Sequence, residues 1–395
     1  MNEAVVVTDG EQRAALAVVR SLGNAGYHPV VCSARRHSLA GASRHARSES
    51  RVPDPLGSPE AFTEAVERLV HTVDARLVLP VSEAALLALV PERERLRPAI
   101  IPFPDAARVR RICDKGTVLE VAQGLGISIP RQVRLEVPPA PTTVHPGELA
   151  YPVVVKPVRS VIDSDGGRRK ASVRYARDPA ELALVLAAVD PAAYPVLLQE
   201  RIVGPGVGVF VLLWEGRLVA ACAHRRLREK PPSGGVSVLR ETIALDPALL
   251  DRSVTLLRRL EWQGVAMVEY KLDVAGRPYL MEINGRFWGS LQLAIDAGVD
   301  FPNLLVRLAL GEAVRPCLEY RIGVRSWWAL GDLDHLLLRL RRSDDALALP
   351  PDEPGRARVV AEFLRTAVSR DQNEVFRWED PRPAVREALA WFRRE

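Results

Sequence analysis

Two glutamates bracket a short turn in the run Val268-Glu269-Tyr270-Lys271-Leu272-Asp273-Val274-Ala275-Gly276-Arg277-Pro278-Tyr279-Leu280-Met281-Glu282-Ile283-Asn284. The apolar stretches flanking a Gly-containing turn predict a β-hairpin. A two-residue loop at Ala275-Gly276, or a four-residue loop from Val274 to Arg277, pairs Asp273 with Pro278 and places Glu269 directly opposite Glu282. The period of two puts Lys271, Asp273 and Asn284 on the same face. Opposed like charges destabilise a strand pair that has no use for them, and a bound divalent cation removes the repulsion. Two carboxylates and an amide oxygen are hard donors suited to Mg²⁺, with Mn²⁺ as the alternative. The plain reading is a solvent-facing strand pair whose acids are offset by Lys271 and nearby arginines. Arg286 tips the balance, because it follows Asn284 by two residues among Gly285, Gly289 and Ser290 and supplies a cation where a phosphate would need one.

Two further cations stand upstream. Of the 54 basic residues only five are lysines, at positions 115, 156, 170, 230 and 271, so each retained ammonium invites a reason. Lys156 ends the apolar run Val153-Val154-Val155, and Lys115 sits between two amphipathic segments over 106–126. Downstream, the segment from His224 through Arg226, Arg228 and Lys230 to Gly234, Gly235 and Ser237 reads as a strand running into a loop that can fold over a site. Arg226 and Arg228 are the expected ligands of a substrate carboxylate or phosphate. His224, Trp288 and Trp327-Trp328 are expected to be structural.

These residues need a frame. Residues 4–10 form a strand, 12–25 a helix and 28–34 a second strand, and the pattern repeats through an amphipathic run at 59–70, a strand at 76–81, a helix from Glu83 and a strand over Ala99 to Ile101. The first 105 residues therefore read as a doubly wound α/β domain. Its first turn, Thr8-Asp9-Gly10-Glu11-Gln12, lacks the glycine spacing that cradles a pyrophosphate, which excludes a dinucleotide site there. A Pro-rich connector runs from Val137 to Pro152, and from Val196 the pattern changes to antiparallel strands. The expected units are 1–105, 106–195, 196–315 and an α-rich appendage over 316–395 that covers the site or forms a homodimer contact.

Composition excludes other classes. No run approaches the ~18 apolar residues of a membrane span, and basic residues are dispersed rather than clustered or interleaved with aromatics, against a nucleic-acid partner. The N-terminus shows no export signal, and Cys32, Cys113, Cys222 and Cys317 are widely spaced with no C-x-x-C pair, predicting free thiols in the cytoplasm.

The ordered set, namely a doubly wound domain, Lys115, the Val-Val-Val-Lys156-Pro strand, Gln199-Glu200-Arg-Ile202 and Met-Glu282-Ile-Asn284-Gly-Arg286, resembles the ATP-grasp superfamily over roughly residues 1–315, and within it the carbamoyl-phosphate-synthetase-like carboxylate–amine ligases. The resemblance implies α+β subdomains clasping ATP and an enzyme that activates a small-molecule carboxylate as an acyl phosphate and joins it to an amine. By similarity Lys115 and Lys156 contact the phosphates, Gln199, Glu200 and Ile202 hold the adenine, Glu269, Glu282 and Asn284 hold Mg²⁺, and Arg286 steadies the transferring group. Gly166 and Gly167, in the loop Ser160 to Lys170, are the expected flexible elements over the phosphates. Gly204-Pro205-Gly206 stands where many relatives carry a carboxylate for the ribose. A carbamoyl- or carboxy-phosphate-forming enzyme and a non-catalytic nucleotide-binding protein are the alternatives.

Overall fold

The computed structural model describes residues 3–139, 147–164, 166–350, 353–369 and 371–393. Part of the expected connector, 140–146, lies outside the described residues.

The chain begins with a four-stranded sheet in the order Ser48–Arg51, His28–Ser33, Ala4–Val7, Ala75–Leu79, every pairing parallel. Its central strand, Ala4–Val7, is apolar on both sides because helices cover both faces, and Val5, Val6 and Val7 are fully buried. The crossovers carry helices Arg13–Asn24 and Pro59–Thr72, and Glu83–Leu89 follows the last strand. The expected strand at 99–101 contracts to one bridge between Leu77 and Ile100. Pro98 and Pro102 on either side have no N–H to extend a ladder.

A second sheet, wholly antiparallel, runs Gln132–Leu135, Val196–Glu200, Val153–Pro157, Arg174–Ala176. It has its own small core of Val153, Val155, Leu182, Leu186, Val196 and Leu198. Alternation on Val153–Pro157 sends the odd valines into that core and leaves Val154 and Lys156 on the other face.

The third sheet has seven strands in the order Pro278–Asn284, Gly264–Leu272, Gly206–Trp214, Arg217–Lys230, Val236–Ile243, Arg325–Trp327, Gln372–Asn373. The last two strands belong to the segment expected as an appendage, so residues beyond 316 continue the sheet and add helices Ala329–Arg341, Arg356–Ala367 and Arg382–Arg393. Buried ion pairs bind this segment to the first domain and to the sheet: Arg20 Nε donates to Asp380 at 2.9 Å, and Glu374 accepts from both Arg13 and Arg240.

The hairpin joining Gly264–Leu272 to Pro278–Asn284 places Glu269 opposite Glu282 by a route the turn residues do not suggest. Leu272, not Asp273, pairs with Pro278, and an extra residue at Met281 then restores Glu269 to Glu282. Asp273 leaves the ladder because its carboxylate accepts from the amides of Ala275 and Arg277, both at 2.9 Å, capping its own turn.

Candidate active site

Between the second and third sheets lies a cleft of about 390 Å³. Val154, Lys156 and Gln199 form one wall, while Glu269, Lys271, Glu282, Asn284 and Arg286 form the other, with Arg201 and Ile202 of the connection between the sheets at one margin. Glu282, Glu269, Gly208 and His224 are direct cross-strand partners, a single row across four strands that shares one face.

Lys115 reaches this row from the first turn of helix Lys115–Gly124, whose start is set by the Asp114 carboxylate accepting from the Thr117 amide at 3.0 Å. Lys115 Nζ donates to Ser160 Oγ at 2.5 Å and lies 3.7 Å from Glu282 Oε2. Lys156 Nζ lies 3.8 Å from that same oxygen and donates to the Met281 carbonyl at 3.2 Å. Two ammoniums from different elements thus share one carboxylate oxygen at distances too long for hydrogen bonds, which leaves their remaining donors for an anion.

The electrostatics follow from this crowding. Burial would raise the Glu282 carboxyl, but Lys115 and Lys156, with a hydrogen bond from Asn284, hold it down at about 2. Glu269 moves the other way, because burial raises it more than Arg226 lowers it. Burial also pulls the Lys156 ammonium below its ordinary value, against the attraction of Glu282.

The donor set fits a hard divalent cation. Among the described residues no three His, Cys, Asp or Glu side chains converge, so this chain offers two carboxylates and the amide oxygen of Asn284, and water or phosphate oxygens would supply the rest, as Mg²⁺ prefers. Two of these oxygens bond to cations of the chain: Glu269 Oε2 accepts from Arg226 at 2.5 Å and Asn284 Oδ1 from Arg286 at 2.9 Å.

Other candidates are placed as follows. Gln199 is buried and donates to Gln132 Oε1 at 2.7 Å, while its own Oε1 has no partner among the described residues. The Glu200 carboxylate turns to Arg131, accepting from its amide and Nε at 2.8 Å, and the Glu200 amide donates to Arg131 O at 2.9 Å, which leaves the Glu200 carbonyl as the group for a ligand. Gly166 and Gly167 lie away from the cleft at the tip of the hairpin Val161–Ser164/Gly167–Lys170, where Arg168 N–H donates to Leu56 O at 2.6 Å. A Cβ on Gly167 would stand 2.7 Å from Gly57 O, so this glycine permits contact with the first domain. Arg228 also points away from the cleft: its Nε and Nη2 donate to Asp332 at 2.9 and 2.6 Å. Period two puts Arg226 and Arg228 on one face, but Leu227 is an extra residue between the pairs Arg226↔Arg240 and Arg228↔Leu239, and the bulge reverses the alternation. Arg226 stays, bonded to Glu229 at 2.8 Å as well as to Glu269.

Several groups carried no motif. Ser160 and Glu229 matter here only as partners of Lys115 and Arg226. Glu83, one of whose buried oxygens has no partner among the described residues, has its carboxyl raised by burial against the pull of Lys115 and Arg286. His224 lies two residues from Arg226 on the same strand, and that spacing was the available signal. A second cavity of about 740 Å³ meets the cleft at Val236, Arg286 and Gly289, lined by Asp9, Glu11 and Ser82 of the first domain and by Trp328 and Glu387.

Burial, followed by the neighbouring Arg226 and Arg240, pushes the His224 imidazole well below its ordinary 6.5. The unfolded chain therefore takes up a proton near pH 6.5 that the folded chain refuses. Stability falls as pH drops below that point, by about 1.4 kcal/mol per unit at most until the folded value is reached. Urea midpoints of the parent at pH 7.5 and 5.5 should differ more than those of His224→Gln.

Residues 192–328 match the model of a family described as ATP-grasp in the biosynthetic pathway with Ter operon. Chloroplastic biotin carboxylase 1 of Populus trichocarpa is 27% identical over 232 residues, covering 54% of this chain and 41% of that protein, so the chain spans about two fifths of the length of this curated relative. The L-amino acid ligase of Bacillus licheniformis superposes with a TM-score of 0.61 at 19% identity, over 80% of this chain and 78% of that one. Biotin carboxylase of Campylobacter jejuni, solved as a β,γ-ATP complex, gives 0.62 at 15% identity over 82% and 74%. N5-carboxyaminoimidazole synthetase of Staphylococcus aureus complexed with ADP gives 0.62 at 13% identity over 82% of each chain.

Proposed function

We propose that this chain, whose fold is ATP-grasp, is an Mg²⁺-dependent ligase that spends ATP to activate a carboxylate and joins the acyl group to an amine, releasing ADP and phosphate. The observation that carries this reading is the convergence of Lys115 and Lys156 on Glu282, directly opposite Glu269. Bound ATP places its adenine against the backbone of Glu200 to Ile202 and its phosphates against the two lysines. Glu269, Glu282 and Asn284 would hold Mg²⁺, which when bound screens the phosphate charge.

The protein's own contribution is positioning and charge neutralisation. Lys115 and Lys156 hold the phosphates so that an anionic carboxylate can approach the terminal phosphorus. Arg286, where the cleft meets the second cavity, steadies the phosphoryl group in flight, and the second cavity admits the amine. Attack of the amine on the acyl carbon expels phosphate. The test is a panel of carboxylates and amines scored for ADP release and for the amide product. Release that needs Mg²⁺ and an acid, with amide formed when an amine is added, supports the ligase. Release indifferent to every acid refutes it. Arg286→Ala should lower kcat by about 10²-fold with a smaller change in the KM for ATP, as removal of one such cation does elsewhere.

A further inference from the structure

The cleft is lined by two side chains whose polar atoms have no partner among the described residues: His224, two strands beyond Glu269 in its cross-strand row, and Trp288, just past the strand Pro278–Asn284. His224 is 2% exposed with both ring nitrogens unsatisfied, and Trp288 is 2% exposed with Nε1 unsatisfied. Phe210 packs against both, its ring 4.6 Å from the imidazole and 4.4 Å from the indole, centroid to centroid. The imidazole comes down on the sheet because its cross-strand partner is Gly208. A Cβ there would sit 3.0 Å from His224 Nε2 and 2.7 Å from Phe210 Cζ. Buried polar atoms are almost always paired, so two such groups packed on one ring and lining one cleft point to a ligand.

The chemistry of that ligand follows from the groups. Burial first, and then the charges of Arg226 and Arg240, disfavour the protonated imidazole of His224, and the neutral ring offers one donor and one acceptor and the indole one donor. An ammonium has no lone pair with which to accept from the indole N–H. A hydroxyl accepts from the indole and donates to the unprotonated ring nitrogen. Resting on the ligase reading above, we propose that His224 and Trp288 bind a hydroxyl substituent of the carboxylate substrate, so that the acid activated is a hydroxy acid.

The experiment uses the full chain with Mg²⁺, ATP and hydroxylamine, which traps an acyl phosphate as a hydroxamate. Matched acids are compared: lactate, propionate and alanine, then 3-hydroxybutyrate, butyrate and 3-aminobutyrate. A site built to hydrogen-bond a hydroxyl strongly rejects the analogue lacking it, and we expect kcat/KM for a hydroxy acid to exceed that of its unsubstituted partner by about 100-fold or more. His224→Phe, which keeps the aromatic packing against Phe210, should bring that ratio to within about threefold, and His224→Asn should recover part of it. Equal use of the unsubstituted acids, preference for the amino acids, or an unchanged ratio in His224→Phe would overturn the proposal. If no acid yields a hydroxamate, it is the ligase reading that fails, and the subsite is then read directly. Of seven histidines, the imidazole ¹H–¹⁵N signal lost in His224→Phe should shift saturably with lactate or 3-hydroxybutyrate and not with propionate or butyrate. No shift with either hydroxy acid overturns it.

Discussion

Replacing Glu282 by alanine is expected to lower Mg²⁺-dependent ATP turnover by about 10³-fold or more, with the far-ultraviolet circular dichroism unchanged. The effect is large because one side chain serves three groups. It faces Glu269 across the hairpin, and its Oε2 lies 3.7 Å from Lys115 and 3.8 Å from Lys156. On the proposed reading the metal would lose one of two carboxylates, and two buried ammoniums would face each other with no counter-charge between them. ATP phosphates can supply that counter-charge, so the KM for ATP should change less than kcat. The fold should survive because Glu282 is itself only half-buried and the strand carrying it is anchored by the fully buried Leu280 and by Ile283. Glu282→Gln, which keeps the shape and removes the charge, should resemble alanine in kcat. A Gln variant with parental turnover would remove the carboxylate from the chemistry.

The largest effect on stability is expected at Glu374. This carboxylate, 2% exposed, accepts from Arg240, which is fully buried, and from Arg13 of the first domain. Removing one partner of a buried pair leaves a charge without compensation, and Glu374→Ala should cost about 3–5 kcal/mol in urea unfolding. Burial already pulls the Arg240 guanidinium below its ordinary value against the pull of Glu374. The variant therefore loses the group that makes Arg240 tolerable there. A cost under about 1 kcal/mol would mean that water reaches Arg240. The same geometry predicts that a chain ending at 315 does not fold, since it lacks both Glu374 and the strands Arg325–Trp327 and Gln372–Asn373.

The parallel first domain was legible because its valine runs and helical spacing are regular over long stretches. The facing of Glu269 and Glu282 was legible too, although two irregularities cancel to produce it: a longer turn capped by Asp273 and a bulge at Met281. Where one irregularity stands alone, periodicity misleads. Leu227 carries Arg228 to the opposite face, to Asp332 in a segment about 100 residues later. Gly167 serves a contact with Gly57 that no local pattern encodes. The tail read as an appendage because its two strands, of three and two residues, are too short to show alternation. His224 and Trp288 looked like ordinary core residues, and burial alone would have kept that reading. What sets them apart is that their ring nitrogens have no partner among the described residues, which only the folded arrangement reveals.

The central claim, that the carboxylate is activated by direct transfer of the terminal phosphoryl group, is tested most directly by isotope transfer. The parent chain is incubated with Mg²⁺, ATP, an amine and a carboxylate labelled with ¹⁸O in both oxygens, and the released phosphate is analysed by mass spectrometry. An acyl phosphate that breaks at its C–O bond leaves one ¹⁸O in each phosphate formed. Phosphate released at the same rate without the label would mean that water, not the carboxylate, takes the phosphoryl group.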